Sequence, residues 1–287
     1  MFTHLSDTTK AVVFYALALA LALGAALIPG ATTGPYAFTP LLAVLLMLLV
    51  VTRDGYTRAG WAALGLHRLG LRAWPAALLI PLVVMSVAYG VLWISGLATV
   101  VMPSAAETQG LPVAVFLPVG IVITLIQATL TTSLGEELGW RGYLLPRLAH
   151  LGAWRAALLT GLLHGIWHLP IMLLTTQYHP DANRAIFIPL FLLSTTIAGL
   201  FFAYLRFSSE SVWPAALGHT AHNLFWAMFA LFTRATSPTA VEYLASDAGI
   251  LIAAGYALGA GWLMLQLTRH AQVSSATREP TPDTVAP

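Results

Sequence analysis

The chain has 287 residues, of which 58% are hydrophobic and only 8% charged, with a formal net charge of +2. Soluble domains carry about 25% charged residues, so the composition argues against a soluble domain; the lack of cysteine excludes disulfide frameworks, thiolate metal sites and a cysteine nucleophile. The apolar runs are long and unbroken rather than short and alternating, which points away from a β-barrel and to an all-α polytopic membrane helix bundle.

A span needs about 20 mostly apolar residues, and about eight such runs can be drawn. The first is Ala11–Leu27, ended by Pro29-Gly30 and read as a retained span, because the small residues that follow lead straight into another apolar run. The second is Tyr36–Val51. Arg53–Arg72 follows as an interfacial amphipathic segment, with Leu64, Leu66, Leu69 and Leu71 among its arginines. Trp74–Leu97 is the third span, Met102–Leu111 a loop, and Pro112–Leu134 the fourth, running into an acidic motif. Trp154–Thr175 carries His164 and His168, Ala185–Leu205 is the sixth, Val212–Phe232 carries His219, His222 and Asn223, and Ile250–Leu267 is the eighth. With no internal repeat or linker, residues 1–273 form one membrane domain with a motif-bearing core at about 112–233. Residues 274–287, rich in Ser, Thr and Pro, form a disordered tail.

Charge in the connections tests this order. The termini and even-numbered loops hold 11 of the 13 basic residues, and the other loops hold Arg184 and Arg234. That bias places both termini in the cytoplasm with the acidic motif near the cytoplasmic face; the excess of arginine over the single lysine, Lys10, points to a GC-rich bacterial genome and so to a bacterial inner membrane. The small basic excess is no argument for nucleic acid.

Three clusters could carry chemistry. In Gly135–Leu145, GEELGWRGYLL, a helix sets Glu137 and Arg141 four apart on one face in the favourable order for an ion pair, while Glu136 points about 100° away. Two neighbouring carboxylates in a low-dielectric site cannot both ionise cheaply. Arg141 therefore holds Glu137 ionised, and Glu136 is left to exchange a proton. His164 and His168 form the second cluster at the same spacing, but Gly165 follows His164, so the H-E-x-x-H zinc motif is absent. His219 and Asn223 form the third. The bland readings are a structural ion pair for the acidic motif, satisfied interhelical donors for the histidines, and packing for Asn223. Gln127, Thr131 and Thr132 read as interhelical hydrogen-bonding groups. His222 faces elsewhere and has no role, and His4, His67, His150, His179 and His270 sit in loops or at ends. Together the three clusters could converge on an intramembrane polar cavity.

Their order and spacing resemble the CAAX-protease and bacteriocin-processing (CPBP, Abi) family of intramembrane endopeptidases. The family's E-E-x-x-x-R matches Glu136, Glu137 and Arg141. Its F-x-x-x-H matches at His168, with His164 in the aromatic position, and its H-x-x-x-N matches His219 and Asn223. The resemblance implies hydrolysis of a peptide bond in a membrane-associated peptide or protein, with the lipid bilayer as the other partner. In that reading Glu136 and His168 activate water, and His219 and Asn223 donate to the oxyanion. Glu137 and Arg141 support them. The cofactor is none or one divalent metal, zinc before others, with Glu136, His168 and His219 as ligands and His164 a weaker candidate. Two other classes compete. A proton-coupled transporter would use the same buried residue types, though the inverted repeat it requires is not visible. A non-catalytic membrane scaffold would survive loss of Glu136, His168 and His219 together.

Overall fold

The structure, a computed structural model, describes residues 5–276. Helix α1 (Asp7–Ala26) starts where the Ser6 hydroxyl accepts the Thr9 N–H, an N-cap reinforced by Asp7 in the first turn. A short α2 (Thr33–Tyr36) leads into α3 (Thr39–Leu46), which widens into a π-turn over Met47–Val51. Thr57 caps α4 (Arg58–Ala62), and α5 (Trp74–Ile94) follows. Next come β1 (Ala98–Val100) and α6 (Val113–Leu130). The chain breaks at Thr131 (φ −122, ψ −96) and resumes as α7 (Thr132–Glu137), a π-helical stretch over Leu138–Leu144 and α8 (Leu145–Leu148). Then α9 (Ala153–Trp167) and α10 (Leu169–Leu174) flank His168, α11 is Arg184–Ser209, and α12 is Trp213–Leu231. β2 (Thr233–Ala235) pairs antiparallel with β1, ahead of α13 (Pro238–Ala245) and α14 (Ile250–Ala276).

Among the described residues, seven helical segments are long and apolar enough to cross a membrane. The chain is an all-α integral membrane bundle. The expected seventh span, α12, is a 19-residue helix that stands apart from those seven; it carries His219, Thr220, His222 and Asn223 and packs against α5, α6, α7 and α11. Several boundaries differ from the sequence reading. The fourth run does not end at Leu134: the helical path continues to Leu151 and takes the acidic motif inside the bundle. The eighth helix reaches Ala276, so residues 274–276 of the expected tail are helical; residues 277–287 lie outside the described residues, as does His4. Thr131 turns its hydroxyl to the Gln127 carbonyl of its own helix, at 2.6 Å. The links between helices are made instead by Thr129 to Thr220 (3.0 Å) and Thr220 to Ser133 (2.9 Å).

Packing is closest where α9 crosses α11. A Cβ on Gly161 would lie 2.7 Å from the carbonyls of Thr195 and Thr196, and one on Gly199 would lie 2.7 Å from the Gly161 Cα. Within lipid, helices associate through such small-residue contacts rather than through a hydrophobic driving force. The acidic motif is seated in the same way: a Cβ on Gly139 would come within 2.6 Å of Pro40 Cβ.

The two ends of the bundle are tied differently. At one end Lys10 pairs with Asp54 at 3.6 Å, Arg68 with Glu210, and Arg206 donates to the Ala63 carbonyl at 3.2 Å. At the other end β1 pairs with β2. There the Tyr178 hydroxyl donates to Asp247, and the Asn183 N–H donates to the Tyr243 hydroxyl at 3.0 Å.

Candidate active site

Glu136 and Glu137 are the last two residues of α7, and Glu137 stands one turn before Arg141 in the π-helical stretch. Arg141 donates to Glu137 Oε1 at 3.0 Å, the pairing expected from the spacing of four. All three side chains are buried: Glu136 is 8% exposed, Glu137 0% and Arg141 1%. Arg141 is therefore not at the cytoplasmic end of a span, as the loop-charge count placed it. A guanidinium inside the bundle needs partners. It has Glu137, the Phe202 ring 4.7 Å from its Cζ, and His164 Nδ1 at 3.5 Å.

The histidines are brought to the same place. His219 Nδ1 lies 3.0 Å from Glu137 Oε1, so one carboxylate oxygen serves both Arg141 and His219. His164 Nε2 lies 3.0 Å from Glu136 Oε2. His168, where Pro170 interrupts the helix, has its Nδ1 3.1 Å from the His164 carbonyl. Ring centroids of His164 stand 5.0 Å from His168 and 5.9 Å from His219. Asn223 lines the cavity that these residues share.

The partners fix the tautomers. A carbonyl only accepts, so His168 carries its proton on Nδ1 and keeps a lone pair on Nε2. An ionised Glu137 likewise takes the Nδ1 proton of His219. Arg141 only donates, so His164 accepts at Nδ1 and directs an Nε2 proton at Glu136. The sequence reading left His164 as a stand-in for an aromatic ring. It does fill that place, stacked on Trp140 at 5.1 Å and 26°, and it also hydrogen-bonds the leftover carboxylate.

These tautomers bear on metal binding. Donor atoms of Glu136, His164 and His168 all lie within 4.8 Å of one another. The Nε2 proton of His164 makes it a poor ligand while Arg141 faces its other nitrogen. His168 keeps a lone pair on Nε2, and His219, which is not in that group, has its Nδ1 engaged by Glu137.

The cavity has a volume of about 680 Å³ and extends well beyond the motif residues. Its far wall is a strap, the connection between α10 and α11. There His179, with φ +44, places Nδ1 2.6 Å from Glu242 and Nε2 3.1 Å from Asp247. The Tyr178 ring lies 5.7 Å from His168. His222, assigned no role from sequence, also lines the cavity, its Nδ1 3.0 Å from the Tyr256 hydroxyl. Nothing in the sequence spacing marked these groups, because His179 and Asp247 are 68 residues apart.

Residues 118–225 match the family model described as type II CAAX prenyl endopeptidase Rce1-like. That interval spans all three clusters. No protein of curated function matches the chain.

Proposed function

We infer, from the match of residues 118–225 to the type II CAAX prenyl endopeptidase Rce1-like model, that the chain is an intramembrane endopeptidase in which Glu136 and His168 activate the water that attacks the scissile carbonyl. The supporting observation is that Glu136, His168, His219 and Asn223 line one cavity inside the bundle. Water held between Glu136 and His168 Nε2 gives a proton to the carboxylate, and its oxygen bonds to the carbonyl carbon. The oxyanion that forms accepts from the Asn223 amide and from His219. Glu137 Oε1 supplies the countercharge when the His219 ring donates at both nitrogens. Glu136 then delivers its proton to the amide nitrogen as the C–N bond breaks. His164 holds Glu136 in line, and Arg141 keeps Glu137 ionised and fixed.

A divalent cation, zinc before others, would be held by Glu136, His168 and His219, with His164 the weaker ligand, and would polarise the carbonyl and lower the cost of forming hydroxide. Metal content of the purified protein, with activity before and after chelation and readdition, separates this form of the reaction from the metal-free one.

The substrate is a peptide segment reaching the site within the bilayer. Glu136→Gln keeps the side chain's shape and removes the base, so cleavage is lost while membrane insertion and melting behaviour stay as in the wild type. Peptides in membranes containing the wild-type protein, compared with those in membranes containing Glu136→Gln, identify the substrate. Undiminished turnover in the variant rules out Glu136 as the base.

A further inference from the structure

The cavity reaches the surface at one end of the bundle. Its rim is made by Thr33 and Gly34 ahead of α3, by Gln177 to Ala182 in the strap, and by Glu242 and Asp247 at the corner between α13 and α14. These connections share an end with the β1–β2 ribbon: the N–H groups of Thr236 and Ser237 donate to Leu97 at 3.0 Å, and Asn183 donates to Tyr243.

The opposite end holds the start of α1, the Arg53–Arg72 segment and the turn between α11 and α12. These are joined by Lys10 to Asp54, by Val212 N–H to the Gly65 carbonyl at 3.2 Å, and by Arg206 to the Ala63 carbonyl. With Arg141 now inside the bundle and Arg278 outside the described residues, nine basic residues remain toward this end or on connections leading to it, Lys10, Arg58, Arg68, Arg147 and Arg155 among them. The end with the cavity mouth has Arg184 and Arg234. Positively charged connections stay in the cytoplasm.

We propose that the mouth of this cavity opens on the extracytoplasmic side, so that the enzyme takes outward-facing segments of exported or membrane-anchored polypeptides rather than cytoplasmic chain ends. The lining agrees with an internal segment. Among the described residues it includes the carboxylates of Glu136, Asp181, Glu242 and Asp247 and no lysine or arginine, and the His179 imidazole at the mouth is already held between Glu242 and Asp247, so a free C-terminal carboxylate meets a surplus of negative charge there.

The claim on substrate rests on the hydrolysis proposed above; the claim on orientation can be read without it. The chain has no cysteine, so each introduced thiol is unique. In sealed cells a membrane-impermeant maleimide is expected to label Gln177→Cys at the mouth and Thr99→Cys on the ribbon. Arg58→Cys is expected to stay unlabelled until the cells are permeabilised. Protection of Gln177→Cys and Thr99→Cys in sealed cells, relieved by permeabilisation, overturns the proposal. In the same cells, a reporter segment presented outward should be cut and its cytoplasmic counterpart spared; the reverse pattern also overturns it. If the orientation holds but the detergent-solubilised protein cuts nothing, the hydrolysis reading fails and the orientation stands.

Discussion

His164 occupies the position that resembles an aromatic in the related motif, and its chemistry differs from that of a phenyl ring in one respect. Both stack on Trp140, but only the imidazole bridges Arg141 and Glu136. His164→Phe should therefore fold normally and lose the hydrogen bond that orients Glu136, the proposed base. A hydrogen bond to a charged group contributes about 1.5–3 kcal/mol, which corresponds to a fall of roughly ten- to a hundred-fold in kcat/KM. Wild-type kcat/KM in His164→Phe would reduce His164 to a stacking platform. The Glu137–Arg141 pair was legible because both partners lie on one helix, four residues apart. The second partner of Glu137 was not, because His219 is 82 residues away and no local period links them. Arg141 was read as a loop charge because a guanidinium looks misplaced in an apolar run until its neutralising partners are in view.

Helices α9 and α11 hold the two imidazoles of the second cluster by touching at Gly161 and Gly199. His164 and His168 lie one and two turns beyond Gly161, so any parting of these helices moves both rings. Gly161→Ala puts a methyl against two carbonyls at 2.7 Å, and overpacking of that kind costs about 1–3 kcal/mol. The variant should melt at lower temperature and lose kcat. Gly120→Ala in α6, where an added Cβ meets nothing within 4 Å, should do neither. Thermal unfolding and turnover of the two variants side by side check this. The apolar runs revealed most of the helices, since length and hydropathy suffice for that. The break beside His168 had a local sign in Pro170. The break at Thr131 had none, and neither did the glycine contact, whose meaning depends on a helix 38 residues further along the chain.

Across the whole molecule, the strap is fastened to the corner between α13 and α14 through His179. Burial alone would lower the pKa of this imidazole, but Asp247 and Glu242 on its two nitrogens outweigh burial and raise it to about 9. A pKa raised on folding means that the stabilisation is complete below the unfolded value of about 6.5 and is lost as pH rises through about 9. The wild type should out-melt His179→Gln at pH 6.5, with the gap closing by about pH 10; a gap that persists there would show that the charge is not what fastens the strap. The three clusters were visible as candidates for one pocket, but its far half was not, since Tyr178, His179, Glu242 and Asp247 come from separate connections. Helix α6 raises a different matter. No residue of it is buried, it packs mainly on α12 and α7, and Thr129 near its lower end is joined to Thr220 on the helix that carries His219. A membrane-spanning helix with no buried residue presents most of its sides to lipid, so the thickness of the hydrocarbon layer bears on its tilt alongside its packing on α12 and, through α7, on the pose of Glu136. In vesicles of graded lipid chain length, turnover should pass through a maximum and decline on either side, which would make membrane composition itself a regulator of the proposed activity.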